Sequence, residues 1–194
     1  MDIRAQLRPT FVMLLLLTVL TGVVYPLGFT ALAQILFPAR ANGSLVVDHG
    51  RVVGSDLIGQ PFDDPRYVWS RLSATSPAPY NAASSTGSNF GPLTDALRDE
   101  IQARIDALHA ADPGNTARIP VDLVTSSASG LDPHISPAAA RYQAPRVARL
   151  RGMQLANVQA LIDRYTEPRQ LGVLGESRVN VLSLNRALDG RPGS

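Results

Sequence analysis

The longest apolar stretch of the chain lies near its amino terminus. Residues 9–39 carry no charged side chain, and residues 11–37 are almost wholly apolar. About 20 such residues cross the hydrocarbon core of a bilayer as a helix, so this stretch predicts one transmembrane helix over residues 11–37. The chain that follows is polar and mixed in character, so residues 38–194 are expected to form a domain on one side of the membrane.

Charged residues beside the predicted transmembrane helix indicate its orientation. Arg4 and Arg8 precede the helix, whereas Arg40 is the only basic residue between the helix and Arg51. Basic flanks tend to stay in the cytoplasm. We therefore expect residues 1–10 to be cytoplasmic, the helix to cross the inner membrane once, and the domain to be periplasmic.

A cleaved secretory signal peptide is the alternative. A basic start, an apolar stretch and the small residues of Ala31-Leu32-Ala33 fit cleavage near Gln34. The apolar stretch is long for a signal peptide, however, and it continues through Ile35 and Leu36. The pattern favours an uncleaved anchor, and the domain is exported in either case.

Short valine-rich and aromatic runs in the domain are typical of strands. Two such runs on either side of His49-Gly50 predict a β-hairpin over residues 44–54. Residues 67–69 and 119–124 are two further strand candidates, the second weakened by Pro120.

A long loop is predicted over residues 70–92, which are rich in Ser, Pro, Gly and Asn. Unstructured loops of this length in a compact domain are usually functional or disordered. Its aromatic residues Tyr80 and Phe90 are expected to pack the loop against the domain.

Apolar residues at helical spacing predict four helices in the domain. They cover residues 92–111, 137–151, 155–165 and 181–189. Ser136 and Pro137 fit the N-cap and first position of the second helix, which is expected to kink or restart at Pro145 and to end at Gly152. The predicted fold class is therefore α+β: a single amino-terminal transmembrane helix followed by one extracytoplasmic α+β domain.

Composition excludes several functions. The 194 residues include no cysteine, which rules out disulfides, thiolate metal sites and a cysteine nucleophile. The small positive net charge comes from the ends of the anchor, so the domain is balanced and offers no electrostatic case for nucleic acid. The chain has neither histidine-based metal-ligand spacing nor a phosphate-binding glycine motif, so no metal and no directly bound cofactor is expected.

The candidate catalytic residues lie in one segment. Asp132, His134 and the hydroxyls of Ser127, Ser129 and Ser136 supply the residue types of a Ser-His-Asp triad. No G-x-S-x-G motif surrounds a serine, and Asp-Pro-His is more often a turn in which the aspartate accepts backbone hydrogen bonds. A structural or interface role is thus the main interpretation, and an exported serine hydrolase using Ser129 or Ser136 is the alternative.

A cluster of arginines follows that segment. Arg141, Arg146, Arg149 and Arg151 lie in a stretch without acidic residues, which indicates either a basic surface for an acidic partner or lipid, or an ordinary solvated face.

Several motifs together resemble one family. They are GSDLIGQ (54–60), RLSA (71–74), GSNFGP (87–92), SGLDPHISPAAA (129–140), LGVLG (171–175) and RVNVL (178–182). The most specific segment is Ser129, Gly130, Leu131, Asp132, Pro133, His134, Ile135, Ser136 and Pro137. The chain resembles the C subunits of Kdp-type potassium-transporting ATPases over nearly its whole length.

This resemblance implies a non-catalytic accessory subunit of a complex that takes up potassium with ATP as energy source. The implied partners are a channel-like potassium subunit, a P-type ATPase subunit and a small single-span subunit, besides the bilayer. The family's C subunit is described as needed for assembly and as a chaperone that raises ATP affinity, with a glutamine that corresponds to Gln143. A periplasmic domain would keep Gln143 apart from cytoplasmic ATP, so assembly is the role we expect.

Overall fold

The computed structural model describes residues 3–190, so residues 1–2 and 191–194 of the predicted segments lie outside the described range. The chain divides into two compact units, Met1–Leu45 and Val46–Ser194. We describe each unit by itself.

The amino-terminal unit is a long apolar helix. It consists of α1 (Ile3–Val19), a π-helical turn (Leu20–Val24) and α2 (Tyr25–Leu36), followed by the short α3 (Pro38–Ala41). The helical segment Ala5–Leu36 is 32 residues long, and its 18-residue apolar window has a mean hydropathy of 2.2 and is 0 % buried, so the segment is long and apolar enough to cross a membrane. The helix begins before the apolar stretch does, because a polar first turn does not stop helical hydrogen bonding.

The π-helical turn ends two residues before Pro26. Proline has no amide hydrogen, and its ring clashes with the carbonyl four residues earlier in an α-helix. The Tyr25 amide instead donates to the Leu20 carbonyl, five residues back, which widens the helix at this point. The apolar helix therefore continues past the proline.

The domain begins with the predicted β-hairpin, which the structure confirms. Strands β1 (Leu45–Asp48) and β2 (Arg51–Ser55) form a two-stranded sheet. His49 and Gly50 both have positive φ, +47° and +76°, as a type I′ hairpin turn requires.

The predicted strand at residues 67–69 is wrong, and the reason is specific. This segment is extended, but side-chain amides take the place of neighbouring strands. Asn185 Oδ1 accepts from the Val68 amide and its Nδ2 donates to the Val68 carbonyl, both at 2.9 Å. Gln143 pairs with the backbone of Trp69 in the same way, at 2.8 and 3.1 Å.

The first domain helix, α4 (Asp95–Ala111), confirms the amphipathic pattern but begins later than predicted. The hydroxyl of Thr94 caps it by accepting from the Leu97 amide at 3.4 Å, so Pro92 and Leu93 stay outside the helix. The long loop before it contains neither a helix nor a named strand, as predicted.

The predicted strand at residues 119–124 is also wrong. Val121–Leu123 form a 3₁₀ turn, in which the Leu123 amide donates to the Pro120 carbonyl at 3.1 Å. Pro120 has no amide hydrogen for a strand ladder, and its fixed φ suits the start of such a turn.

The carboxy-terminal half combines a small sheet with three helices. They are β3 (His134–Ile135), α5 (Pro137–Arg151), α6 (Leu155–Arg164), β4 (Thr166–Glu167), β5 (Arg178–Asn180) and α7 (Val181–Leu188). Strand β5 lies between β3 and β4 and is antiparallel to both. Helix α5 runs through Pro145 without a break and ends at Gly152, whose φ is +64°.

The core surrounds α5. The buried residues of this helix are mostly small, and larger apolar side chains from residues 68–69, α4, α6, β5 and α7 pack around them. The α5 members are Ala139, Ala140, Ala144, Val147 and Ala148. This mixture of helices and short strands confirms the α+β class.

Candidate functional site

The segment that carries the candidate site, residues 129–137, is half-buried and ends in strand β3 and the cap of α5. Beside it lies an open cleft of about 570 Å³, whose lining includes Arg71, Asp132 and His134. Within residues 3–190, no three His, Asp or Glu side chains are placed to hold a metal ion together.

Asp132 is the centre of this segment. Its Oδ1 accepts from the His134 backbone amide at 3.0 Å and lies 3.3 Å from His134 Nδ1, and its Oδ2 accepts from Arg71 Nη1 at 3.0 Å. Burial by itself raises the pKa of Asp132, but the two hydrogen bonds from His134 and the charge of Arg71 outweigh it, so the pKa is lowered. The predicted Asp-Pro-His turn is therefore present.

The serine hydroxyls have structural roles. Ser136 Oγ caps α5 by accepting from the Ala139 amide at 3.0 Å, and it donates to Asp122 at 3.2 Å. Ser129 Oγ accepts from the Leu131 amide at 3.2 Å. The fold brings Asp132 and His134 together, but in the described part of the chain neither serine is hydrogen-bonded to His134.

The same segment is joined to the long loop. Ser73 Oγ donates to the Gly130 carbonyl at 2.6 Å, and the Ser129 carbonyl accepts from the Thr86 amide at 3.1 Å. Gly130 has a φ of +67°, and a Cβ built on it would lie 2.7 Å from the Thr86 carbonyl oxygen. Only glycine fits where the segment contacts the long loop, because both the backbone conformation and the available space exclude a side chain at position 130.

The two aromatic residues of the long loop differ. Tyr80 is buried and donates its hydroxyl to the Arg71 carbonyl at 2.6 Å, and burial raises its pKa. Phe90 is 40 % exposed, so its ring is covered only in part, and its packing role stays a prediction.

Gln143 lies in the interior, with 2 % exposure. Its Oε1 accepts from the Trp69 amide and from Arg146 Nη2, both at 2.8 Å, and its Nε2 donates to the carbonyls of Trp69 at 3.1 Å and Ala139 at 3.3 Å. All four hydrogen-bonding positions of the amide are thus occupied by protein atoms. Contact with a nucleotide would require α5 to separate from the segment around Trp69.

Trp69 lies against two guanidinium groups, an arrangement that the sequence did not reveal. Arg146 Cζ is 4.6 Å and Arg104 Cζ is 5.0 Å from the centre of the indole ring, within the range of cation–π attraction. Burial lowers the pKa of Arg146 to about 10. The sequence does contain one signal of this arrangement. Gln143 and Arg146 are three positions apart, so they lie on the same face of α5.

The arginine cluster does not form a free basic surface, so that interpretation was wrong. Arg141 pairs with Asp163 at 2.8 Å, Arg149 with Asp112 at 2.7 Å and Arg151 with Asp189 at 2.9 Å, while Arg146 is buried. The partners come from α6 and from the ends of α4 and α7, which a search of the local sequence could not find.

Known proteins resemble this chain along nearly its full length. The family model described as K⁺-transporting ATPase, c chain, matches residues 7–190. A potassium-transporting ATPase KdpC subunit of Polaromonas naphthalenivorans is 63 % identical over 183 residues, which are 94 % of this chain and 93 % of the relative. The KdpC subunit of Methylococcus capsulatus is 63 % identical over 182 residues, 94 % of this chain and 96 % of the relative.

A third relative shows the same coverage at greater distance. The KdpC subunit of Herpetosiphon aurantiacus is 60 % identical over 186 residues, which are 96 % of each chain. The family match over residues 7–190 includes the segment of Asp132 and His134, the buried Gln143 and nearly all of the apolar amino-terminal helix. The chain therefore belongs to the KdpC family, the c chains of K⁺-transporting ATPases.

Proposed function

We propose that this chain is an accessory subunit of an ATP-driven potassium-uptake pump and acts through protein contacts instead of chemistry of its own. The observation that carries the proposal is that the candidate catalytic groups make structural hydrogen bonds. Asp132 accepts hydrogen bonds that shape a turn, and Ser136 caps α5. Within residues 3–190, neither Ser129 nor Ser136 is hydrogen-bonded to His134 as an activated nucleophile would be, and these structural contacts suit an assembly role.

The apolar helix supports the membrane part of the proposal. No residue of Ala5–Leu36 is classed as buried, so the helix has surface available for lipid and for other helices. We propose that it crosses the inner membrane once, with Arg8 on the cytoplasmic side and the domain in the periplasm. Its partners would be the channel-like subunit, the P-type ATPase subunit and a small single-span subunit.

For the family's role in raising ATP affinity, we propose an indirect contribution of Gln143. Its amide braces α5 against the backbone of Trp69, and none of its hydrogen-bonding positions is left for a nucleotide. Loss of Gln143 would then weaken the subunit's fold and, through it, the assembled pump.

Co-purification tests this proposal. The full chain, tagged after Ser194, is expressed with the other subunits of its pump and purified in mild detergent. We expect the large subunits to stay bound through washing. A reporter enzyme that is active only after export, fused at the same position, should be active. A chain that purifies alone, or a reporter that stays cytoplasmic, would contradict the proposal.

A further inference from the structure

A short loop between β4 and β5 exposes an unusual amount of apolar surface. We call residues 169–176 the finger loop. Leu171 is 89 % exposed, Val173 73 % and Leu174 56 %. These three side chains lie within four consecutive positions of one turn, and within residues 3–190 nothing covers this apolar patch.

Backbone hydrogen bonds hold the finger loop in one conformation. The amide of Gln170 donates to the carbonyl of Leu174, and the amide of Leu174 donates back to Gln170, both at 2.9 Å. The amide of Val173 also donates to Gln170, at 3.2 Å. An ion pair between Arg169 and Glu176, at 2.6 Å, joins the first and last residues of the loop. The apolar side chains are therefore presented by an ordered turn.

Leu171 has a backbone conformation that its side chain disfavours. Its φ is +52°, and the φ of Gly172 is +76°. Positive φ at both central positions is typical of a type I′ turn, in which Asn-Gly is the favoured pair. A leucine at the first position strains the turn and gains no burial inside the domain. The fold itself does not explain the presence of leucine there.

We propose that the finger loop inserts Leu171, with Val173 and Leu174 beside it, into an apolar pocket on a larger, membrane-embedded subunit of the same complex. The inference rests on the proposed function, because it names the surface through which the domain binds its partners.

Charge distinguishes a protein pocket from a lipid surface. Loops that insert into membranes rely on free basic residues and on interfacial tryptophan or tyrosine. In the finger loop Arg169 is paired with Glu176, and the neighbouring Arg178 is paired with Glu167. Residues 169–176 contain no aromatic side chain. A loop whose charged residues are paired at its two ends and whose tip is aliphatic suits an apolar pocket on a protein.

The small contact area of the finger loop favours a larger subunit, and not a second copy of this chain, as the partner. Each partner of a stable interface buries about 800 Å². Three aliphatic side chains supply only part of that area, so they cannot hold two copies together unaided. A partner that also binds the membrane helix needs no larger contact area. The bound membrane helix keeps the loop close to that partner, so the second contact is effectively intramolecular.

The test uses the full chain expressed with the other subunits of its pump. Leu171→Asn removes the apolar group and installs the residue that the turn prefers. Leu93→Asn is the matched control, because Leu93 is 91 % exposed and lies elsewhere in the domain. The two readouts are the amount of the large subunits retained on the tagged chain and the unfolding midpoint of the chain purified alone.

We expect Leu171→Asn to reduce retention at least tenfold while its unfolding midpoint stays equal to that of the wild type or rises. Leu93→Asn should retain the wild-type amount. A photo-crosslinking amino acid at position 171 should form an adduct with a large subunit.

Three results would overturn the inference: full retention by Leu171→Asn, equal loss in both variants, or a lower unfolding midpoint for Leu171→Asn. Adducts only with lipid or with a second copy of the chain would overturn it as well. If the wild type retains the large subunits and Leu171→Asn does too, only this inference fails. If the wild type retains none, the proposed function fails with it.

Discussion

The side-chain amide of Gln143 pairs with both polar backbone groups of Trp69, as a neighbouring strand would. It accepts from the Trp69 amide at 2.8 Å and donates to the Trp69 carbonyl at 3.1 Å. Asn185 does the same for Val68. Two amides from α5 and α7 thus fix the extended segment at the centre of the domain.

Replacing Gln143 by alanine should destabilise the domain. The change leaves the amide and carbonyl of Trp69 buried without partners, which costs about 3 kcal/mol. Trp69 is the only tryptophan of the chain, so its fluorescence during thermal unfolding measures the loss directly. Gln154→Ala is the control, because Gln154 is exposed and its side chain caps nothing. Equal stability of the two variants would show that the bracing is unimportant.

Replacing Gly130 by alanine should loosen the long loop. A φ of +67° and a close approach to the Thr86 carbonyl both oppose a side chain, and we expect a loss of about 2 kcal/mol. Limited proteolysis should then cut within residues 70–92. Gly114→Ala serves as control, since a Cβ there has nothing within 4 Å. Wild-type resistance of the Gly130 variant would contradict this description of the contact at position 130.

Replacing Ser136 by alanine should affect stability only. Its hydroxyl caps α5, and the loss of such a cap costs about 1 kcal/mol. A serine-reactive phosphonate probe should label neither the wild type nor this variant. Ser129→Ala, which removes the other candidate nucleophile, is the companion variant. Labelling of the wild type that disappears in one of these variants would favour the hydrolase alternative.

Acid should weaken the contribution of Asp132. Because the folded state lowers its pKa, the carboxylate stabilises the domain fully above its unfolded pKa of about 4, and this stabilisation is lost as the pH falls through the lower folded value. Asp132→Asn should therefore be less stable than the wild type at pH 6, with a difference that shrinks below pH 4.

Urea unfolding between pH 3 and pH 7 measures this difference. Asp95→Asn controls for the loss of one negative charge, because Asp95 is 85 % exposed and pairs with Arg98 at the start of α4. A difference between the wild type and Asp132→Asn that does not change with pH would contradict the role given to the carboxylate.

Local signals in the sequence were sufficient for the helices and the hairpin. Apolar spacing together with Ser136 and Gly152 marked α5, and the turn at His49-Gly50 marked the hairpin. The family followed from the motifs, above all from residues 129–137.

Long-range side-chain contacts could not be predicted in this way. Residues 67–69 have the composition of a strand, yet Gln143 and Asn185, distant in sequence, replace its neighbours. The arginine cluster likewise appeared free because Asp112 and Asp189 belong to other elements. The local sequence predicted the Asp-Pro-His turn and the capping role of Ser136, but not the hydrogen bond that occupies Ser129.

Reconstitution of the pump with and without this chain tests the central claim most directly. The other subunits are purified without it, and potassium-stimulated ATP hydrolysis is measured before and after the full chain is added. We predict that the wild type and His134→Ala restore assembly and activity equally, because in the proposed function the subunit contributes protein contacts and His134 contributes no chemistry. Full activity without the chain, or a His134→Ala chain that binds its partners but restores no activity, would contradict the account.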